Sequence, residues 1–177
     1  MPWSPATYAA QFPMAPLGGL FVSMIGLFVV LGSFSTRARM PLTYIGFGAA
    51  MLALVLGGRL AVGLPRPANE QVVALIIAIV LEIVAFVVLI PRARPRGDRA
   101  VIVTTLAIVG AHFIIMLPAF GPLIGALGIL CLVNAAAAWR KLAYPSGTAW
   151  LVDGAMKLLL GALLLVTSPL FVAGAVR

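Results

Sequence analysis

Six long apolar stretches separated by short polar turns dominate this sequence of 177 residues. A helix needs about 20 apolar residues to cross a hydrocarbon core of roughly 30 Å, and each stretch reaches or approaches that length. The sequence therefore predicts an all-α integral membrane protein, a bundle of six transmembrane helices. The predicted spans are residues 17–34, 42–64, 71–90, 100–117, 123–139 and 150–170.

The composition excludes a soluble globular domain. Hydrophobic residues make up 63% of the chain and charged residues 9%, whereas soluble domains contain about 45–50% apolar and about 25% charged residues. The short turns predict a single transmembrane domain over 17–177. Residues 1–16 contain several prolines and aromatic residues and no Lys or Arg, which predicts an irregular arm at the outer membrane–water interface, where aromatic rings are favoured.

The net charge of +8 is concentrated in alternate turns. Arginine or lysine residues follow the first, third and fifth predicted helices, and the other turns contain only Arg66. By the positive-inside rule the three basic turns are cytoplasmic and both termini lie outside. We expect these turns to contact anionic lipid head groups rather than nucleic acid.

A repeat of helical hairpins is a further expectation. The even-numbered helices end similarly, at Pro65, Pro118 and Pro169, which fits three pseudo-repeated hairpins, although apolar low-complexity sequence also produces such matches by chance. Small residues indicate where helices approach closely in a membrane. The predicted packing residues are Gly57, Gly58, Gly125, Gly154 and Gly161.

Charged residues inside the apolar stretches are the candidate functional groups. Arg59 and Glu82 lie in neighbouring predicted helices, and a charge at the membrane centre costs about 2.5–3.5 kcal/mol or more unless it is paired. Side chains lean toward the N-terminus of their own helix, so these two lean toward each other. With His112 they form a predicted polar cluster, either a proton relay or a neutralised pair beside a hydrogen-bonded core histidine.

A second predicted cluster comprises Asn134, Asp153 and Lys157. Asp153 and Lys157 are spaced i,i+4 and can pair along one helix face, which lowers the cost of inserting them. Alternatively, Lys157 reaches Asn134 on the preceding helix.

Little in the sequence points to catalysis or a bound metal. There is one His and one Cys, so bis-histidine haem ligation within the chain is impossible and no metal-ligand spacing is present. Cys131 is interpreted as a small buried residue. No phosphate-binding loop or catalytic triad pattern occurs, so enzymatic activity is not expected and no cofactor is required by the sequence.

The segments GGLFVSMIGLFVVLGSF and GGRLAVGLPRP, followed by a Glu within the next apolar helix, resemble the small DoxX-like bacterial membrane proteins of unknown function. On this resemblance Gly58, Arg59 and Glu82 take the positions of the family's Gly-Arg and intramembrane Glu. The segment AWLVDGAMKLLLGALLLVTSP is similar to hairpins of the HdeD-type acid-stress membrane proteins. The resemblance implies the bacterial inner membrane and a class of protein, without an active site.

Two classes of function remain. The first is an accessory or binding protein that holds a lipid, a quinone or another apolar ligand, or associates with a membrane-protein partner or a second copy of itself. The second is a small transporter or proton-conducting protein that uses Arg59, Glu82 and His112. Transporters with an aqueous path usually have more intramembrane polar residues and contain broken helices, whereas few such residues and no broken helices are predicted here. The first class is therefore preferred.

Overall fold

A computed structural model describes residues 4–57, 62–140 and 145–168. The described chain is all-helical, and six of its helices are long and apolar enough to cross a membrane. This confirms the predicted multi-pass helical membrane protein. The helices are α1 (Pro5–Gln11), α2 (Ala15–Ser33), α3 (Arg39–Leu56), α4 (Asn69–Ala93), α5 (Asp98–Ile115), α6 (Leu117–Phe120), α7 (Pro122–Arg140) and α8 (Ser146–Leu165).

Two local predictions differ from the structure. The second transmembrane helix was expected to reach residue 64, but α3 ends at Leu56, and a turn with Gly63 at φ +85° precedes α4. The N-terminal arm was expected to be irregular, but it contains α1. Ser4 and Thr7 form a capping box that satisfies the first backbone N–H groups, and Pro5 at the first helical position needs no hydrogen-bond partner for its nitrogen.

The helices pack as a core of four with two peripheral members. Helix α2 packs most extensively on α8, and α5 on α7, while α7 also contacts α8. Among the described residues, α3 packs extensively on α2, and α4 packs on α5 and the short α6. Although α3 and α4 are consecutive, they form no extended interface with each other over the described residues.

Glycines set the close antiparallel crossing of α2 and α8. A Cβ atom at Gly19 would lie 2.6 Å from the Gly161 carbonyl oxygen, and one at Gly26 would lie 2.8 Å from that of Gly154. Helices can approach this closely only where side chains are missing. In lipid, the van der Waals contacts of such a close approach stabilise the helix pair. Gly154 and Gly161 thus have the packing role that the sequence predicted.

The other predicted packing glycines behave differently. A Cβ at Gly125 would lie 2.7 Å from the side chain of Leu117. Gly125 therefore packs against the short α6 rather than against a long helix. Gly57 forms the C-terminal cap of α3. Gly58 lies outside the described residues. Another close crossing joins α5 to α7, where the Gly128 carbonyl oxygen lies 3.0 Å from a Cβ built at Gly110.

Tyr8 attaches helix α1 to the bundle. The Tyr8 hydroxyl donates to the Phe120 carbonyl oxygen at 2.7 Å and accepts from the Leu123 N–H at 3.2 Å. Gly121 permits this approach, because its φ of +84° favours glycine and a Cβ there would lie 2.5 Å from the hydroxyl. Burial raises the pKa of Tyr8 to about 12, although the hydrogen bond from Leu123 acts in the opposite direction.

Helices α3 and α4 expose most of their apolar surface. On α4 the inward stripe is narrow, and it includes the fully buried Ala78 and the partly buried Leu75. Side chains on either side, such as Val80 and Ile83, are more than half exposed. A surface this apolar is suited to contact lipid tails or another membrane-embedded molecule.

Candidate functional site

Glu82 lies midway along α4, on the stripe that faces α5. It follows Ala78 by four residues, so both side chains project from the same face. Ala78 is completely buried against the core, whereas the Glu82 side chain is 25% exposed. The carboxyl group therefore lies at the edge of the helix interface, between the packed core and the open apolar surface of α4.

His112, near the end of α5, meets Glu82 across this interface. Its Nδ1 atom lies 3.1 Å from the Ala78 carbonyl oxygen and 3.4 Å from the Glu82 Oε2. A carbonyl oxygen can only accept a hydrogen bond, so Nδ1 carries a proton and donates a hydrogen bond to the Ala78 carbonyl oxygen. The ring is buried, with an 8% exposed side chain, and the hydrogen bonds of the described residues leave Nε2 without a partner.

A second ionic group lies inside the bundle on α8. The Lys157 ammonium donates to the Asp153 carboxylate, and the two residues are 4% and 2% exposed. Their i,i+4 spacing places both on one face of α8. The Cys131 thiol of α7 donates to the other Asp153 oxygen at 3.3 Å, and the Lys157 Nζ lies 5.9 Å from the centre of the Phe113 ring.

The two groups form one electrostatic cluster. Glu82 interacts electrostatically with Lys157 as well as with His112, so the predicted first and second clusters lie in the same part of the bundle. Its ionisable groups in the described part of the chain are the carboxyl groups of Glu82 and Asp153, the Lys157 ammonium and the His112 imidazole. If both carboxyl groups are ionised and His112 is neutral, the cluster holds one excess negative charge. A proton or a further cation balances this charge, because an unbalanced charge is costly in a medium of low dielectric constant.

The remaining predicted site residues are placed as follows. Arg59 lies outside the described residues, so its pairing with Glu82 stays a prediction. Asn134 Nδ2 donates to the Ala149 carbonyl oxygen at 2.8 Å. Lys157 pairs with Asp153.

Cys131 has a polar contact that the sequence analysis did not predict. It is fully buried, as expected, and it also donates a hydrogen bond to a carboxylate. The available signal was its spacing, because Cys131 and Asn134 are three residues apart and so share the polar face of α7. Over the described ranges, no three His, Cys, Asp or Glu side chains gather in a way that could hold a metal ion.

Comparison with known proteins places the chain in a family without assigning an activity. No curated protein and no solved structure matches it. A family model described as a family of unknown function, DUF6609, matches residues 6–171. The match includes all six transmembrane helices and every described member of the polar cluster. The chain is a member of the DUF6609 family.

Proposed function

We propose that this protein is a membrane-embedded accessory or binding protein of the bacterial inner membrane. In this proposal Glu82 and His112 provide the polar contact for an apolar ligand or for a membrane-protein partner. The observation that carries it is the position of Glu82, whose side chain is 25% exposed in the middle of the otherwise apolar stretch 72–91 of α4.

A carboxyl group in this position has few ways to be stabilised. Exposure to lipid tails is costly, since hydrocarbon offers neither hydrogen bonds nor charge. His112 Nδ1 donates its hydrogen bond to the Ala78 carbonyl oxygen, so His112 only partly stabilises the Glu82 carboxylate. A bound molecule that supplies a hydrogen-bond donor or a cation at this edge of α4 removes the cost.

The open faces of α3 and α4 give such a molecule a place to lie. Over the residues that the structure describes, the two helices form no extended interface with each other, and both carry many exposed apolar side chains. A ligand with an apolar body, such as a lipid or quinone, or a transmembrane helix of a partner fits this surface by its chemistry. The DoxX-like resemblance agrees with the proposal but names no ligand.

The test is native mass spectrometry of the purified protein, with Glu82→Gln compared against wild type. Asp98→Asn is the matched control, because Asp98 is an exposed carboxylate at the start of α5. We expect a bound species in wild type and in Asp98→Asn that Glu82→Gln releases while its helical content is retained. Release from neither variant, or from both equally, contradicts the role of Glu82.

A proton-conducting protein is the second candidate. The observation in its favour is the pairing of two side chains that can each carry a proton, since His112 Nδ1 lies 3.4 Å from the Glu82 Oε2. Protein reconstituted in liposomes distinguishes the two classes. A pH-driven proton flux that Glu82→Gln abolishes supports conduction, and we expect no flux, because the core is packed and a conduction path requires water.

A further inference from the structure

A cleft of about 640 Å³ opens at the end of the bundle opposite the arginine-rich turn between α4 and α5. It lies where the N-terminal segment, the α3–α4 loop and the first turns of α4 meet. The volume falls within the range of about 300–1,000 Å³ that is typical of small-molecule sites. By the positive-inside rule this end of the bundle faces the outside of the cell.

One buried glutamine holds the walls of the cleft together. Gln71 Nε2 donates to the Gln11 carbonyl oxygen at 3.0 Å, and its Oε1 accepts from the Ala68 N–H at 3.0 Å. Gln71 is 8% exposed, so these hydrogen bonds are shielded from competing water. The N-terminal segment and the start of α4 are thereby fixed relative to each other, and the cleft is preformed.

Two exposed side chains of opposite charge line this cleft, Arg66 from the loop and Glu70 from the first turn of α4. Within the part of the chain that the structure describes, no ion pair joins them. Arg66 lies beside the N-terminal end of α4, whose dipole also favours an anion. Glu70 offers a carboxylate to a cation. The cleft thus presents an anion subsite next to a cation subsite.

The cleft also continues onto an apolar surface. Ala74 forms part of its lining, and the neighbouring α4 side chains Val73, Ile76 and Ile77 are 47–55% exposed. A soluble zwitterion would need only the charged part of this arrangement. A phospholipid would use both parts, with its headgroup in the cleft and its acyl chains along α4.

We propose that the cleft binds a phospholipid whose headgroup carries both a phosphate and an amine. Arg66 binds the phosphate, and Glu70 binds the ammonium group. This site is separate from the Glu82–His112 pair, which lies about 18 Å further along α4, at 1.5 Å per residue.

The experiment measures lipid retention by native mass spectrometry after incubation in mixed micelles that contain equal amounts of phosphatidylethanolamine and phosphatidylglycerol. Wild type should retain phosphatidylethanolamine preferentially. Arg66→Gln should lower retention of both lipids by about tenfold, because it removes a charge-assisted hydrogen bond. Arg66→Lys should restore part of it. Glu70→Gln should abolish the preference for the amine-bearing lipid while phosphate binding remains.

Arg94→Gln is the matched control, an exposed arginine at the opposite end of α4, and it should leave the preference unchanged. Equal retention of both lipids by wild type overturns the proposal, as does an Arg66→Gln variant that behaves like Arg94→Gln. Free phosphoethanolamine that displaces the lipid at equal concentration also overturns it, and assigns the cleft to a soluble zwitterion. The tested variants change only Arg66 and Glu70, and Glu70 lies about 18 Å from Glu82 along α4, so this test does not depend on the function proposed for Glu82.

Discussion

Replacing Gly26 with alanine tests the role of the α2–α8 crossing directly. A Cβ atom at this position would lie 2.6 Å from the Leu158 nitrogen and 2.8 Å from the Gly154 carbonyl oxygen. Ordinary contacts of a Cβ begin at about 3.4 Å, so the added methyl group intrudes by about 0.8 Å. Both atoms belong to the backbone, so no side chain can rotate away and the helices must separate.

The expected cost follows from that separation. Overpacking of a filled core typically destabilises by about 1–3 kcal/mol. A radial gap of about 0.5–1 Å forfeits roughly a quarter to a half of the dispersion energy of each contact across it. Because α2 and α8 form the most extensive helix pair, we expect Gly26→Ala to lie at the upper end of this range.

Two further glycines provide a graded comparison. A Cβ at Gly110 would meet the flexible side chain of Leu132 at 2.9 Å and the Gly128 carbonyl oxygen at 3.0 Å, so Gly110→Ala should cost less than Gly26→Ala. Gly48 on α3 has nothing within 4 Å of such an atom. Gly48→Ala should therefore be neutral or slightly stabilising, since alanine is the better helix former.

Unfolding by sodium dodecyl sulfate in mixed micelles, followed by circular dichroism, measures these differences. The reasoning requires the destabilisation to increase in the order Gly48, Gly110, Gly26. A Gly26→Ala variant as stable as Gly48→Ala refutes it, because the helices would then tolerate a methyl group where the structure leaves no space.

Three other predictions concern charge and topology. Cysteines introduced in the loop 65–69 should react with an impermeant thiol reagent in intact cells, and those in 92–99 should not; the reverse labelling contradicts the assigned orientation. Asp153→Leu should cost about 3–5 kcal/mol, because it leaves Lys157 as an unpaired buried charge, and the double variant with Lys157→Leu should recover most of that loss in the same unfolding assay. Additive losses would show that the pair is uncoupled. Burial raises the pKa of Tyr8 from 10 to about 12, so the folded state favours its neutral form. The stability of wild type should therefore fall between pH 10 and pH 12, and Tyr8→Phe should remove that part of the fall.

The helical framework could be predicted because it depends on local composition. Apolar length determines which segments enter the membrane, and small residues mark the faces that pack, as at Gly154 and Gly161. The sequence could not show that α2 pairs most closely with α8, since the choice of partner depends on the fit of whole faces. The helical α1 was missed because prolines suggested irregular structure, whereas Pro5 stands at a position where helices accept proline.

The site was predictable residue by residue but not as an arrangement. Intramembrane charges are rare, so Glu82, His112, Asp153 and Lys157 could be identified from hydropathy alone. Their grouping could not, because it depends on which helices are neighbours in the bundle. Cys131 was interpreted by its usual character as a small apolar residue, and only its hydrogen bond to Asp153 shows a polar role.

The close crossing of α2 with α8 also affects how the protein is made. Helix α2 enters the membrane first among the six spans, and its principal partner α8 is synthesised last among them. During that interval the glycine face of α2 has only lipid beside it, or a temporary neighbour. The interface between α2 and α8 can therefore form only after α8 has been inserted. An insertion factor that shelters α2, or a protease that removes chains lacking α8, would act within this interval.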